Sequence, residues 1–251
     1  MTGMLARLAP RRPNQGPADL NDEDLPGEYT VLDGDSPFIA CAFYTDNYLP
    51  QVQALKHSLE AHGLKHFLKR YERPSTWEAA TRLKAPFLWD CLVRFPNHHI
   101  LYLDADSVVR QAPELLETIA TDIGACVFNK PIGGKHCLQL SGGTLYIRNT
   151  DGGRRFVREW KAAGQRCGSL ATDEDMIHMA FSNLDGLTIS VLPMGFCKVF
   201  DNRGTVEPII EHFQASRTQV KLSRRLRRLK RAAVVAGGIL LAAACAYLVI
   251  H

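Results

Sequence analysis

The sequence predicts an α/β domain, built on a mostly parallel sheet with helices on both faces, followed by a hydrophobic segment of membrane-spanning length. Three observations predict it. Short apolar runs recur at 38–43 (FIACAF), 99–103 (HILYL) and 123–128 (IGACVF). Stretches with helical spacing lie between them, and strands alternating with helices make mostly parallel sheets. Residues 232–250 (AAVVAGGILLAAACAYLVI) carry no charge at all. As a helix they would extend roughly 28 Å, close to the ~30 Å hydrocarbon core of a bilayer.

Composition limits the function classes. The chain has 251 residues, 46% of them hydrophobic and 22% charged, which suits one globular domain with attachments. Its net charge of +4 is concentrated in Lys221, Arg224, Arg225, Arg227, Arg228, Lys230 and Arg231. Removing those seven from the 30 Lys and Arg leaves 23 basic against 26 acidic residues. A mildly acidic body argues against a nucleic-acid binder, which would spread basic groups over a folded face. The seven cysteines are irregularly spaced, with no C-x-x-C pair. They read as buried free thiols in a reducing compartment.

The elements follow in order. Residues 1–36 read as a disordered tail, with Pro10, Pro13, Pro17 and Pro26 and no sustained periodicity. Arg7, Arg11 and Arg12 are not followed by the apolar stretch a secretory signal needs. The strand over 38–43 opens the body, 37–219. Leu49, Val52, Leu55 and Leu59 then keep helical spacing up to Gly63, a good helix stop. A second strand is expected at 64–71. A helix is expected over 75–95, with Ser75 or Thr76 as cap and Pro96 as stop. The strand at 99–103 runs into Asp104, and further strands fall at 123–128 and 143–148. A helix over 152–163 takes Asn149 or Asp151 as cap. A helix over 173–183 and a strand over 187–192 complete the body. Residues 220–231 carry Leu222, Leu226 and Leu229 among the basic residues, an amphipathic segment suited to headgroups. Positive residues mark the cytoplasmic flank of a span. The body is therefore expected on the cytosolic face of a membrane, as in a bacterial inner membrane, anchored by 232–250.

The chemistry centres on Asp104-Ala105-Asp106, directly after a buried strand. In extended backbone, residues two apart point the same way. Two adjacent carboxylates repel unless a cation lies between them, and hard oxygen ligands suit Mg²⁺ or Mn²⁺. Strand-DADSVV also fits phosphatases of the haloacid dehalogenase type, with Asp104 as nucleophile and Asp106 as acid/base. That motif normally opens its fold, whereas here some 65 body residues precede it.

The flanks favour the cation reading. FYTDNY, a helix, W-x6-K, ILYLDADSVV, SGGTLYIRN, TDEDMIHMA and EHFQASR occur in that order over residues 38–217. Together they resemble GT-A-fold nucleotide-diphospho-sugar transferases, including the glycogenin and retaining galactosyltransferase group. The resemblance implies a nucleotide-sugar donor, a UDP-sugar above all, and Mn²⁺ or Mg²⁺ held by Asp104, Asp106 and His212. It implies donor contacts from Tyr44 and Thr45 at the base, Asp104 at the ribose, and Lys84 near the phosphate. Ser141, Gly142 and Gly143 would let the backbone approach the donor. Arg217 would pair with the diphosphate. Asp173 and Glu174 align with the family's Asp-Gln at the sugar or acceptor, with Glu replacing the amide; Asp175 is a further candidate for acceptor contact. With a membrane anchor, the expected acceptor is a glycan or lipid-linked glycan, such as a lipopolysaccharide core. A catalytically silent, membrane-tethered sugar-nucleotide binder is the other alternative. The pair His98-His99 lies at the opposite end of its strand and reads as structural.

Overall fold

The computed structural model describes residues 25–132, 135–169, 171–202 and 204–215. By its contacts the chain divides into two compact units, and the architecture below belongs to the first, which ends at Phe213. The elements are β1 (Glu28–Val31), β2 (Phe38–Tyr44), α1 (Leu49–Ala61), β3 (His66–Arg70), α2 (Trp77–Thr81) and α3 (Lys84–Arg94). Next come β4 (His99–Leu103), β5 (Ser107–Val109), β6 (Ile123–Ile132), β7 (Lys135–Ile147), α4 (Asp151–Arg166) and α5 (Asp173–Ser182). Three short strands follow: β8 (Ile189–Val191), β9 (Lys198–Val199) and β10 (Ile210–His212).

A seven-stranded sheet runs β1-β3-β2-β4-β7-β6-β8, and a three-stranded sheet runs β5-β10-β9. Side chains of β2 and β4 alternate between two cores, as strand geometry requires. Phe38, Ala40, Ala42, Leu101 and Leu103 pack with Val52, Leu55 and Leu59 of α1. Ile39, Cys41, Ile100 and Tyr102 pack with Phe87 and Leu88 of α3, Phe156 and Trp160 of α4, and Ile177 of α5. Helices therefore cover both faces, as expected.

The large sheet is mixed, which corrects the expectation of a mostly parallel one. Pairs β2–β3, β2–β4 and β6–β8 are parallel, while β1–β3, β4–β7 and β6–β7 are antiparallel. The cause is the stretch from 123 to 147, read as two separate strands. It folds back on itself as one long hairpin, Val127 opposite Leu140 and Asn129 opposite Leu138. So short a link cannot make a parallel crossover. Polar residues such as Asn129 and Gln139 hide the outer part of the hairpin from a hydrophobicity reading. A second correction concerns the expected tail: Glu28–Val31 is a strand, Glu28 opposite Lys69 and Val31 opposite His66. Ion pairs from Glu28 to Lys69 at 3.0 Å and to Arg94 at 2.6 Å tie it down.

Two local details set up the site. The helix expected over 75–95 breaks at Arg82–Leu83 into α2 and α3. Pro86 explains the break: in mid-helix its ring would clash with the preceding turn, whereas a first turn accepts it. Lys84 thereby becomes the first residue of α3. Thr76 caps α2, accepting from Ala79 N at 3.1 Å. The cap of α4 is Thr150, accepting from Gly153 N at 3.2 Å, and not Asn149 or Asp151. The Asn149 amide instead donates to the carbonyls of Leu92, Phe95 and Pro96. Gly63, as expected, lies just beyond α1 with φ +59°, a left-handed conformation that glycine adopts without cost.

Among the described residues no helix is long and apolar enough to cross a membrane. The segments 220–231 and 232–250 lie outside the described residues.

Candidate metal and donor site

The site grows from the carboxyl end of β4. After Leu103 the chain leaves the sheet, and Asp104-Ala105-Asp106 forms a turn rather than the extended segment expected. The Ser107 amide and hydroxyl both donate to Asp104 O, at 3.0 and 2.7 Å, and close that turn. β5 then pairs antiparallel with β10, setting His212 opposite Ser107. The Phe213 amide donates to Asp106 O at 2.9 Å. One ligand atom from each of Asp104, Asp106 and His212 lies within 4.8 Å of the others. Two carboxylates and an imidazole form a donor set that fits a hard divalent cation.

Around this cluster the side chains are held firmly. Lys84, 6% exposed, sends its ammonium to Asp104 Oδ1 at 2.8 Å, Asp173 Oδ2 at 2.6 Å and the Gly142 carbonyl at 3.0 Å. Burial works against the charged lysine, but Asp104 and Asp173 outweigh it and raise its pKa well above the ordinary value. The Tyr102 hydroxyl donates to Asp104 Oδ1 at 2.9 Å. Thr144 Oγ1 hydrogen-bonds His212 Nε2 at 2.8 Å. Burial lowers and Cys197, Asp104 and Asp106 raise the His212 pKa, with a net upward shift.

Both glycines of the Ser141-Gly142-Gly143 run sit close against the side chains of the site. A Cβ on Gly142 would overlap Asp173 Oδ2. A Cβ on Gly143 would lie 3.1 Å from both Asp104 Oδ2 and His212 Cε1, in the space between those two residues. Ser141 Oγ accepts from the Gly143 amide at 3.2 Å and contacts Cys197 Sγ at 3.2 Å, so it braces the loop.

The structure thus brings together Lys84, Asp104, Asp106, Gly142, Gly143, Asp173 and His212, with Ser141 behind them. Glu174 turns elsewhere, accepting from Gln139 Nε2 on β7 at 2.8 Å. Asp175 is a capping residue: Thr172 and Asp175 bond reciprocally at the start of α5. Tyr44 is corrected. Its ring is 2% exposed in the α1-side core and offers no face for a base. It points there because even-numbered residues of β2 face α1. Thr45 makes a local bond, 2.7 Å to Asn47 Oδ1. Arg217 lies outside the described residues.

Sequence reasoning missed Tyr48, Tyr102, Thr144 and Cys197. Tyr48, in the 3-10 turn after β2, is a second aromatic residue near the acids, in addition to Tyr102. Burial first, then Asp106 and Asp104, raise the pKa of its phenol. The NY dipeptide after the first strand was its only signal.

Two solved structures share this architecture. A glycosyltransferase involved in glycosylation of the major capsid of PBCV-1 superposes with TM-score 0.51 at 11% identity, over 71% of this chain and 94% of that one. The apo form of the glycosyltransferase GlyE from Streptococcus pneumoniae TIGR4 superposes with TM-score 0.52 at 15% identity, over 72% of this chain. The chain has a GT-A-like glycosyltransferase fold. Within the GT-A-like frame it spans 55% of GlyE's length. No family model and no curated protein matches its sequence. In GT-A terms the acidic turn lies where ligands bind α/β sheets, beyond the carboxyl ends of the strands.

Proposed function

We propose that this protein is a metal-dependent glycosyltransferase that moves a sugar from a nucleotide-diphosphate donor to an acceptor. One observation carries the reading: Asp104, Asp106 and His212 converge within 4.8 Å beside the buried Lys84–Asp173 pair. Three ligands and a fixed ammonium form a cradle for a diphosphate and its cation. The phosphatase alternative would use Asp104 as nucleophile through Oδ2, since Lys84 and Tyr102 occupy Oδ1, and its motif would then stand in mid-chain rather than at the opening of the fold.

In this reading a bound Mn²⁺ or Mg²⁺ offsets charge developing on the leaving diphosphate. Asp104, Asp106 and His212 would hold that cation. Lys84 supplies a second positive charge, fixed before the donor arrives, so that no reorganisation is needed during transfer. Asp173 keeps the Lys84 ammonium in place beside the sugar. Tyr48, in the turn after β2, would serve as the aromatic partner of the base. Gly142 and Gly143 keep the floor free of side chains.

A UDP-sugar is the donor, and the stereochemistry is retention, as the resemblance to the retaining group implies. The basic segment 220–231 and the uncharged stretch 232–250 support a single C-terminal anchor, with the catalytic body on the cytosolic face. A membrane-associated glycan or lipid-linked acceptor follows from that placement.

The test incubates the full-length chain with UDP- and GDP-sugars and Mn²⁺ and measures nucleotide release. Release that chelation abolishes, and that Asp106→Ala lacks, is the expected result. No release with any donor, alongside turnover of a phosphomonoester, would replace this function with the phosphatase. Donor binding without release would leave a silent binder. The anomeric configuration of the product, read by NMR, decides retention.

A further inference from the structure

Asp104 is held from behind. Its Oδ1 accepts from the Tyr102 hydroxyl at 2.9 Å and faces the Lys84 ammonium at 2.8 Å. The Tyr102 ring is 1% exposed, and the ammonium sits over its face, 5.4 Å from the centroid. The other oxygen, Oδ2, borders the space above Gly143 that His212 Cε1 also borders. The two oxygens of one carboxylate are thus divided, one committed to protein donors and one turned to the cradle.

A carboxylate so divided has one oxygen to offer a cation. Ca²⁺ takes about six to eight oxygens in flexible geometry and often uses carboxylates through both. Smaller octahedral cations accept ligands that give a single oxygen. We propose that Tyr102 is a positioning residue that, with Lys84, confines Asp104 to one-oxygen ligation through Oδ2 and thereby selects a small octahedral divalent cation over Ca²⁺. The proposal rests on the reading of Asp104, Asp106 and His212 as a cation site. Tyr102 is placed for this role because even-numbered residues of β4 face the α3 side, where Lys84 enters.

The experiment titrates Mn²⁺ into the full-length chain and follows free Mn²⁺ by electron paramagnetic resonance, with Ca²⁺ as competitor and no donor present. Wild type should bind Mn²⁺, with Ca²⁺ competing only at concentrations well above those of Mn²⁺. Tyr102→Phe should bind Mn²⁺ roughly 10- to 100-fold more weakly, the range seen when groups orienting metal ligands are removed, and with a reduced preference over Ca²⁺. Tyr146→Phe, which alters an equally buried tyrosine on β7, should change neither. Mn²⁺ affinity and preference unchanged in Tyr102→Phe would overturn the proposal and leave the cation site standing. Ca²⁺ binding to wild type as tightly as Mn²⁺ would also overturn it, even if Tyr102→Phe does not fold. No Mn²⁺ binding by wild type would remove the cation site itself, and the proposal with it.

Discussion

The Lys84 ammonium lies 2.6 Å from Asp173 Oδ2, with both side chains less than a tenth exposed. The pair joins the start of α3 to the start of α5 and so fixes two helices at the mouth of the sheet. Its partners keep Lys84 charged despite burial. Removing one member of a buried pair leaves the other without compensation, typically at about 3–5 kcal/mol. Lys84→Met should therefore lower the unfolding free energy by about 3 kcal/mol or more, read by urea denaturation. Adding Asp173→Asn should recover part of that loss, because one of the two carboxylates left without the ammonium, Asp173, is then neutral while Asp104 is not.

Cation binding should raise stability by mass action. At about 100 times its dissociation constant, Mn²⁺ is expected to add about 2.7 kcal/mol. For a domain of this size that shifts Tm by roughly 5–11 °C, measurable by scanning calorimetry. Gly143→Ala should fold and lose this increment, since its methyl would occupy the space between Asp104 and His212.

The His212 pKa is raised in the folded protein, so protonated His212 stabilises the cation-free form. That contribution is complete below the unfolded value of about 6.5 and is lost as pH rises through the folded value. Cation-free protein should thus gain stability as pH falls through the raised folded value towards the unfolded one, and His212→Gln should flatten the trend. With Mn²⁺ present the sign reverses, because the imidazole must be neutral to bind and acid then releases the cation. Unfolding curves at several pH values, with and without Mn²⁺, separate the two slopes.

Tyr48 and Tyr44 offer a paired comparison. Tyr48→Ala should raise the KM for the donor about tenfold, within the range for losing an aromatic partner of a base. Tyr44→Phe should leave KM unchanged, because that ring lies in the α1-side core. Steady-state kinetics with a UDP-sugar distinguish them.

Much of this site was legible in the sequence. Asp104, Asp106, His212, Lys84, Gly142, Gly143 and Asp173 could be picked out as a set because each occupies a recognisable position in an ordered series of motifs. What escaped depended on facts that linear order does not carry. The hairpin of β6 and β7 was hidden because its outer half does not bury a continuous apolar face. The direction of Tyr44 follows from strand parity against a core that only tertiary packing defines. Tyr102 and Thr144 act through hydrogen bonds to Asp104 and His212, and their neighbours in sequence say nothing of that. The break before Lys84 is the exception, since Pro86 stands in the interior of the expected helix and marks it.

The pairing of β5 with β10 has a consequence in time. Asp106 and His212 are separated by 106 positions along the chain. At a synthesis rate of about 5–20 residues per second, the acidic turn would leave the ribosome roughly 5–20 seconds before the histidine that completes it. During that interval the nascent chain carries two carboxylates without their imidazole. Ion capture, and with it competence for transfer, would therefore be among the last properties this domain acquires.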